Sequence, residues 1–380
     1  MTDVWSGHEA EYYSMKEQID RAVQRVIESG AYQRGEEVRA FEAEFADHCG
    51  SRYAVGTNSC YMAMLVALVA CGVGPGDEVI TVANTDIATT AAITRAGAEF
   101  VWVDIDAHTY NIDPTLVEEA VTSRTRAILP VHMYGLPADL GPIMDIAQRR
   151  DLWVIEDAAL AVGGGYHGAR AGTVGHVGCF SFVFGKGLGT FGDAGMAVTD
   201  DPEIANRMRQ LNMYNVDTMP QERVGDIDIL TGFNYKSEGY YSRLIPLHAA
   251  ILREKLPRLD DWIARRREVA RLYGEGLADL DVVLPLEPDA VEHIYRNYTI
   301  RVKDRDRVRR ELAEGDIPTG VLYVPPLHFQ PVYRTRGYGL GDLPVTERVA
   351  TQLMTLPVHP WLTEDRINEV VAALEEATTK

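Results

Sequence analysis

The chain has 380 residues, of which 46% are hydrophobic and 24% charged, so it can bury a core in a large domain and in a smaller one beside it. This composition excludes a disordered or collagen-like chain. The 37 basic and 56 acidic side chains give a net charge of −19, which argues against a nucleic-acid-binding protein.

Cysteine usage and apolar runs predict a location in the cytoplasm. The four cysteines never approach CxxC spacing and lie among apolar or small residues, which suits a reducing compartment. The longest apolar run, residues 62–73, is too short to cross a bilayer. The N-terminus is acidic and polar, so we expect no signal peptide.

Between residues 53 and 199, short β-branched runs alternate with longer helical patterns. The runs that we predict as strands are 78–82, 99–103, 127–131 and 152–156. This alternation predicts an α/β fold with a mostly parallel sheet and helices on both faces. The glycine-rich segment 163–168 fits GxGxxG but opens no helix, so we interpret it as a flexible loop and only weakly as a dinucleotide site.

The last third of the chain begins with a long helical pattern over 244–277, interrupted at Pro257. Beyond it we predict a strand over 298–302 and helices over 304–314 and 364–376. This change of pattern predicts a large domain over 1–245 and a smaller C-terminal α+β domain over 246–380.

Ligands of open α/β sheets bind beyond the carboxyl ends of the strands, so the residues after the predicted strands are the first candidates. Small polar residues over 56–61 precede an apolar helix. Unpaired N–H groups at such a helix start favour a phosphate, although a plain N-cap explains the same residues.

An acidic pair, Glu156 and Asp157, ends the most hydrophobic predicted strand. A carboxylate there can hold a proton on a ring nitrogen, and Asp157 is the better candidate. The alternative is a pair of surface acids.

Lys186 is a lysine within aromatic and glycine residues, without an acidic neighbour for several positions. Burial disfavours the charged amine and makes it a nucleophile toward a carbonyl, so we favour a functional role over an ordinary surface lysine.

The histidines carry no HxH or HExxH spacing, so we predict no metal site. His132 follows a predicted strand and is either a crevice residue or a core histidine.

The order of these segments resembles the fold type I pyridoxal 5′-phosphate (PLP) enzymes and, more narrowly, the DegT/DnrJ/EryC1/StrS family of sugar aminotransferases. The resemblance covers residues 15 to 373, nearly the whole chain. The residues that carry it are Phe41, Glu42, 72–79, 83–85, 130–135, 156–159, Ser181, Phe182, Lys186, 242–244 and 356–360. It implies a seven-stranded, mostly parallel sheet between helices and a smaller C-terminal α+β domain.

The resemblance also implies residue roles. Lys186 is the catalytic residue, attaching covalently to the cofactor aldehyde and later moving a proton on the substrate. The cofactor, as PLP or its amine form PMP, contacts residues at these positions: Asp157 at the ring nitrogen, Ser181, Ser59, Cys60 and Tyr61 at the phosphate, and Asp86, Leu160 and Tyr241 around the ring or from the neighbouring subunit. The family acts as homodimers with shared active sites, here through the segment 240–243.

This chain departs from the family pattern at several of these positions. Cys60 and Tyr61 stand where the family usually has Gly-Thr, and Asp86 replaces the aromatic that usually stacks on the ring. Leu160 replaces a glutamine and cannot donate a hydrogen bond. Tyr241 replaces an asparagine. Together these changes indicate a remodelled pocket.

The leading hypothesis is an aminotransferase that moves an amino group from glutamate or glutamine to a nucleotide-linked keto-sugar or a ketocyclitol, in aminosugar or antibiotic assembly. Substrate-binding candidates from the resemblance are Tyr32, Arg34, Tyr323 and His328, and candidates for local positive charge are Arg34, Lys236 and Arg243. One alternative is a dehydration or elimination with the same cofactor. Another is a non-catalytic partner or regulator, and an NAD-dependent dehydrogenase rests only on the glycine-rich segment.

Overall fold

The computed structural model describes residues 5–33, 35–214, 216–218, 222–224, 227–229, 233–235 and 237–379. Arg34 and Lys236, both predicted to provide positive charge, lie outside the described residues. Among the residues that are described, no helix combines the length and the apolar composition needed to cross a membrane.

Helices and strands alternate along the first half of the chain, as the pattern predicts. The helices are α1 (His8–Ser29), α2 (Glu36–Cys49), α3 (Cys60–Ala70), α4 (Ile87–Arg95), α5 (Pro114–Ala120), α6 (Leu140–Arg150), α7 (Pro202–Leu211), α8 (Pro246–Lys255), α9 (Leu259–Gly276), α10 (Arg305–Glu314), α11 (Pro344–Ala350) and α12 (Glu364–Thr379). Short 3₁₀ turns occupy Met133–Gly135, Leu256–Arg258, Leu327–Phe329 and Pro331–Tyr333.

The strands form one large sheet and several small ones. They are β1 (Tyr53–Thr57), β2 (Glu78–Val82), β3 (Glu99–Val103), β4 (Thr125–Ile128), β5 (Trp153–Asp157), β6 (Gly165–Tyr166), β7 (Ala169–Arg170), β8 (Val177–Ser181), β9 (Gly195–Thr199), β10 (Val216–Thr218), β11 (Glu222–Val224), β12 (Ile227–Ile229), β13 (Phe233–Tyr235), β14 (Val282–Val283), β15 (Val291–Glu292), β16 (Tyr298–Val302) and β17 (Leu353–Leu356).

The large sheet has seven strands in the order β1-β9-β8-β5-β4-β2-β3. Only β9 is antiparallel to its neighbours in this sheet, so the predicted mostly parallel α/β fold is confirmed. Every residue of β2 is buried, and Val79 and Ile80 belong to different hydrophobic clusters. Because neighbouring residues of a strand point to opposite faces, both faces of the sheet are covered.

Two of the four predicted strands have the observed bounds and two are shifted. The predicted strand 152–156 is β5, which begins and ends one residue later. The strands β2 and β3 have the predicted bounds, whereas the run 127–131 yields β4, which ends at Ile128. Pro130 has no N–H to donate, which breaks the regular pairing with β5. A single bridge between Val131 and Asp157 follows the break.

The glycine-rich segment is not a flexible loop, and that prediction is wrong. It forms the hairpin of β6 and β7, and β6 also pairs with β15. A side chain on Gly163 would collide with Ile263, and its φ of +85° is one that glycine tolerates. The segment begins no helix, so it lacks the strand-to-helix turn of a dinucleotide site.

The C-terminal part has the predicted α+β composition. The helical pattern breaks at Pro257, where a 3₁₀ turn separates α8 from α9. The antiparallel strands β14, β16 and β17 share a hydrophobic cluster with α9, α10 and α12, including the buried Tyr273, Tyr298 and Leu374. The exact domain boundary at residue 245 stays a prediction.

Candidate active site

The ends of three strands meet at one edge of the large sheet. Parallel strands place their carboxyl ends on the same edge, so Asp157 at the end of β5 and Ser181 at the end of β8 lie at one edge, with Asp157 paired to Cys179, two residues before Ser181. Gly195 at the start of β9 pairs with both Ser181 and Thr57, the last residue of β1. The edge therefore brings together three of the segments that the sequence singles out.

Asp157 is a buried carboxylate with 5% of its surface exposed. One carboxyl oxygen accepts a hydrogen bond from the Thr89 hydroxyl at 2.8 Å and the other from the Ala159 N–H at 3.1 Å. The Cys60 thiol lies 3.9 Å from the latter oxygen. Burial raises the pKa of Asp157, and a cationic ring nitrogen beside it would favour the ionised carboxylate again.

Glu156 lies on the opposite face of the same strand and has a structural role. Its carboxylate is fully buried and accepts hydrogen bonds from the N–H groups of Gly172, Val174 and Gly175. His132 contacts it through Nε2 at 2.7 Å, while His132 Nδ1 accepts from the Ala138 N–H at 3.0 Å. Since Nδ1 is an acceptor, Nε2 carries the proton and donates to Glu156. His132 is thus a core histidine.

The start of α3 is the candidate phosphate site. Ser59 is extended and caps the helix, and its Oγ accepts from the Met62 N–H at 3.2 Å. Cys60 and Tyr61 are the first helical residues, so their N–H groups are unpaired within the helix. Ser181 lies on β8, which is two strands from β1, the strand that leads into α3, and 7% of its surface is exposed. The helix dipole and these donors favour a phosphate.

Gly195 allows α3 to approach the sheet this closely. A Cβ on Gly195 would lie 2.6 Å from the backbone N of Cys60 and 2.5 Å from the carbonyl oxygen of Ser59. Both groups are backbone, so the helix start itself would have to move.

We therefore expect Gly195→Ala to displace the start of α3. It should lower the free energy of unfolding by about 1–3 kcal/mol and weaken phosphate-dependent binding of the cofactor. Urea unfolding and a titration with PLP measure both effects. Gly274→Ala on α9 is the control, because a Cβ there meets no atom of the described residues within 4 Å. Equal effects of the two variants would contradict the role of Gly195.

Lys186 is a partly buried lysine in the turn that follows β8. Its backbone N–H donates to the carbonyl of Val183 at 3.1 Å. Burial, and then the positive charge of Arg296, lowers the pKa of the amine, against smaller opposing effects of Asp157 and Asp86. A larger fraction of the amine is therefore neutral and nucleophilic than at an exposed lysine.

The structure places two more predicted residues around Lys186. Asp86 is exposed at the N-cap of α4, where its carboxylate accepts from the Ala88 N–H at 2.9 Å. Tyr323 is partly buried, and burial together with the charges of Asp86 and Asp157 raises the pKa of its hydroxyl. Asp86 is therefore close enough to influence the charge of Lys186, and Tyr323 lies close to both Asp86 and Asp157.

Three other predicted residues have described contacts that do not include Lys186. Leu160 belongs to a hydrophobic cluster with β2 and α6. Tyr32 is 54% exposed and donates to the Ile27 carbonyl at 2.9 Å. His328 is buried against Trp102, with Nε2 3.4 Å from Glu347. Their roles in binding stay predictions.

Tyr241 lies on the surface of its own chain. It is 54% exposed, stacks on Tyr214 at 5.1 Å and carries the Arg243 guanidinium 4.4 Å over its ring. The adjoining Ser242 accepts from the Asn58 N–H at 2.6 Å, which ties this segment to the end of β1.

Sequence reasoning missed two residues at this site. Thr89 binds Asp157 and also contacts Thr85 at 2.8 Å. Its position one turn into a helix that follows a strand was an available signal. Arg296 lies next to Lys186, but nothing in its local sequence distinguishes it from a surface arginine. Among the residues described, no three His, Cys, Asp or Glu side chains group to hold a metal.

Comparisons with known proteins give one consistent result. The model of the DegT/DnrJ/EryC1/StrS aminotransferase family matches residues 13–375. The chain is 41% identical to a pleiotropic regulatory protein of Geobacillus stearothermophilus, covering 96% of each chain. It is 39% identical to the dTDP-3-amino-3,4,6-trideoxy-alpha-D-glucose transaminase of Streptomyces venezuelae, over 97% of this chain and 94% of the relative. The crystal structure of DesV from S. venezuelae superposes with a TM-score of 0.92 at 39% identity, over 98% of this chain and 97% of that one.

Proposed function

The chain belongs to the DegT/DnrJ/EryC1/StrS aminotransferase family, and on that basis we propose that it transfers an amino group from glutamate or glutamine to the keto group of a nucleotide-linked sugar or a ketocyclitol. The observation that carries the proposal is one edge of the sheet where Lys186, Asp157 and the start of α3 meet. We place the reaction in aminosugar or antibiotic assembly, in the cytoplasm. The described cysteines are free and buried, which suits that compartment.

The residues of this edge fit PLP, the cofactor of this enzyme. The buried Asp157 is an acceptor for the ring nitrogen, and the amides at the start of α3, with Ser59 and Ser181, are donors for the phosphate. Because Gly195 has no side chain, the backbone at the start of α3 lies directly against the sheet. Lys186 offers a partly neutral amine for the aldehyde.

The residues around the site divide the catalytic work. When bound, PLP supplies an aldehyde that carries the amino group and a ring that withdraws electrons from the reacting carbon. Asp157 holds the ring nitrogen protonated, and Thr89 fixes the orientation of that carboxylate. Lys186 would take the proton from the substrate carbon that bears the amino group and deliver it to the former aldehyde carbon of the cofactor. The lowered pKa of Lys186 suits this alternation.

A two-step measurement tests the proposed reaction. The PLP-loaded enzyme is mixed with L-glutamate or L-glutamine, and we expect a change of the visible spectrum together with release of the matching keto acid. A nucleotide-linked keto-sugar is then added, and mass spectrometry of the product should show an amino group in place of the keto oxygen. Loss of water without a new amine would favour the elimination hypothesis. A protein that never binds PLP would favour the hypothesis of a non-catalytic partner or regulator.

We further propose that the enzyme is a homodimer with shared active sites. The exposed stack of Tyr214 and Tyr241, with Arg243 over it, provides an aromatic and cationic surface next to the end of β1. If a partner supplies Arg243 to the active site, Lys186→Ala and Arg243→Ala should each lose activity alone, and mixing the two variants should restore part of it. Absence of recovery in a mixture that forms dimers by light scattering would contradict shared sites.

A further inference from the structure

A cavity of about 200 Å³ adjoins Lys186, between α1, the Lys186 turn and the C-terminal part of the chain. Its charged lining consists of Lys186, Arg266, Arg296 and Glu11. The single carboxylate, Glu11, accepts a hydrogen bond from Lys255 at 2.6 Å, so it is already neutralised. The cavity is therefore positively charged in a protein whose net charge is −19.

The two guanidinium groups of this cavity lack carboxylate partners among the described residues. Arg266 is 8% exposed and donates to the Val358 carbonyl at 2.7 Å. Arg296 donates one NH2 group to the Gly185 carbonyl, and its buried Nε has no hydrogen-bond partner within the described part of the chain. Burying a guanidinium without an anion is unfavourable, and burial lowers the pKa of both groups.

Arg296 combines three properties of a carboxylate-binding residue. Its guanidinium is planar and forked, its Nε has no hydrogen-bond partner among the described residues, and it lines the same cavity as the Lys186 amine. The neighbouring Asn297 has an unpartnered buried Oδ1 among the described residues, which can accept a hydrogen bond from the same ligand. The phosphate of the cofactor is assigned to the start of α3, so Arg296 remains for the substrate.

We propose that Arg296 binds a carboxylate of the substrate beside Lys186. This inference rests on the proposed function and adds to it the residue that holds a substrate carboxylate. Two sources present that group, the amino-acid donor and an acidic sugar acceptor. Arg266 adds positive charge to the same cavity, and its hydrogen bond to the Val358 carbonyl fixes its guanidinium in the cavity lining.

Binding measured on the PLP-loaded enzyme by calorimetry separates the two sources. Glutarate is compared with glutaramide for the donor, and UDP-glucuronate with UDP-glucose for the acceptor. In at least one pair we expect the ligand with the carboxylate to bind about 10- to 100-fold more tightly than its uncharged counterpart. The variant Arg296→Gln should remove that difference in affinity. The pair that responds identifies the source of the carboxylate.

Arg309→Gln is the matched control. Arg309 also donates to backbone and side-chain oxygens, both on Thr319, and does not line the cavity. It should leave both preferences unchanged. Arg296→Met keeps the packing of the stem and replaces Arg296→Gln if the latter fails to fold, as judged by circular dichroism.

The proposal is overturned if wild type shows no carboxylate preference in either pair, or if the preference survives the loss of Arg296. It is also overturned if Arg296→Gln weakens PLP binding as much as it weakens carboxylate binding, since Arg296 would then serve the phosphate. These measurements need no turnover. A carboxylate preference without amino transfer would therefore contradict the proposed function alone, and amino transfer without the preference would contradict the role of Arg296 alone.

Discussion

Lys186→Ala is expected to lower the rate of amino transfer by about 10³-fold or more, because it removes both the nucleophile and the residue that moves the proton. The side chain is only partly buried, so the variant should fold. Steady-state rates with a nucleotide-linked keto-sugar measure the loss. After borohydride reduction of the PLP-loaded protein, mass spectrometry should find the cofactor on Lys186 in wild type and on no residue of the variant.

Two further variants separate the chemistry of Lys186 from its charge. Lys186→Arg keeps a positive charge but cannot lose its proton, so it should be as inactive as Lys186→Ala. Lys303→Ala removes an exposed lysine that pairs with Asp281 on the surface and should retain wild-type rates. Activity in Lys186→Arg would show that charge alone is required.

The pH dependence of cofactor capture follows from the environment of the same amine. Burial and the charge of Arg296 lower the pKa of Lys186, and the neutral amine, which exists above that pKa, is the reactive form. The rate at which the cofactor-free protein captures PLP should therefore rise with pH and reach its midpoint below 10.5, the ordinary lysine value. A midpoint at or above 10.5, followed by stopped-flow absorbance, would contradict this environment.

Sequence pattern predicts the strands well where the interactions are local. The runs at β2 and β3 are bounded by turn residues on both sides, and their limits agree with the structure. The glycine-rich hairpin was missed because β6 is held by β15, more than a hundred residues further along the chain. Pairing at such a distance leaves no periodic signal in a two-residue strand.

The same distinction applies to the site. Asp157 and Lys186 are recognisable because a strand end and a glycine-rich turn mark them locally. Arg296 acquires its role only through the fold, which places it against the carbonyl of Gly185, 111 residues away. For His328 the family resemblance suggests binding, the fold buries the side chain against Trp102 and Glu347, and its role stays a prediction.

Asp157→Asn is expected to lower the turnover rate by about 10²–10³-fold while the protein remains folded. Asparagine has nearly the same shape, but it cannot carry the negative charge that keeps the ring nitrogen protonated. The burial that raises the pKa of Asp157 means that losing this charge costs the empty protein little. Turnover and urea unfolding, measured on the same preparation, should therefore respond differently.

The adjacent carboxylate provides the matched control, because strand geometry turns it to the other face of the sheet. Glu156→Gln weakens a fully buried acceptor that binds three backbone N–H groups and His132. It should lower the free energy of unfolding by about 3 kcal/mol and leave the turnover rate of the folded fraction near that of wild type. If Asp157→Asn destabilised the fold and Glu156→Gln slowed turnover, the two carboxylates would have the opposite roles. A difference in the expected direction would show that one strand, β5, supports the chemistry on one face and the packing of the residue 172–175 segment on the other.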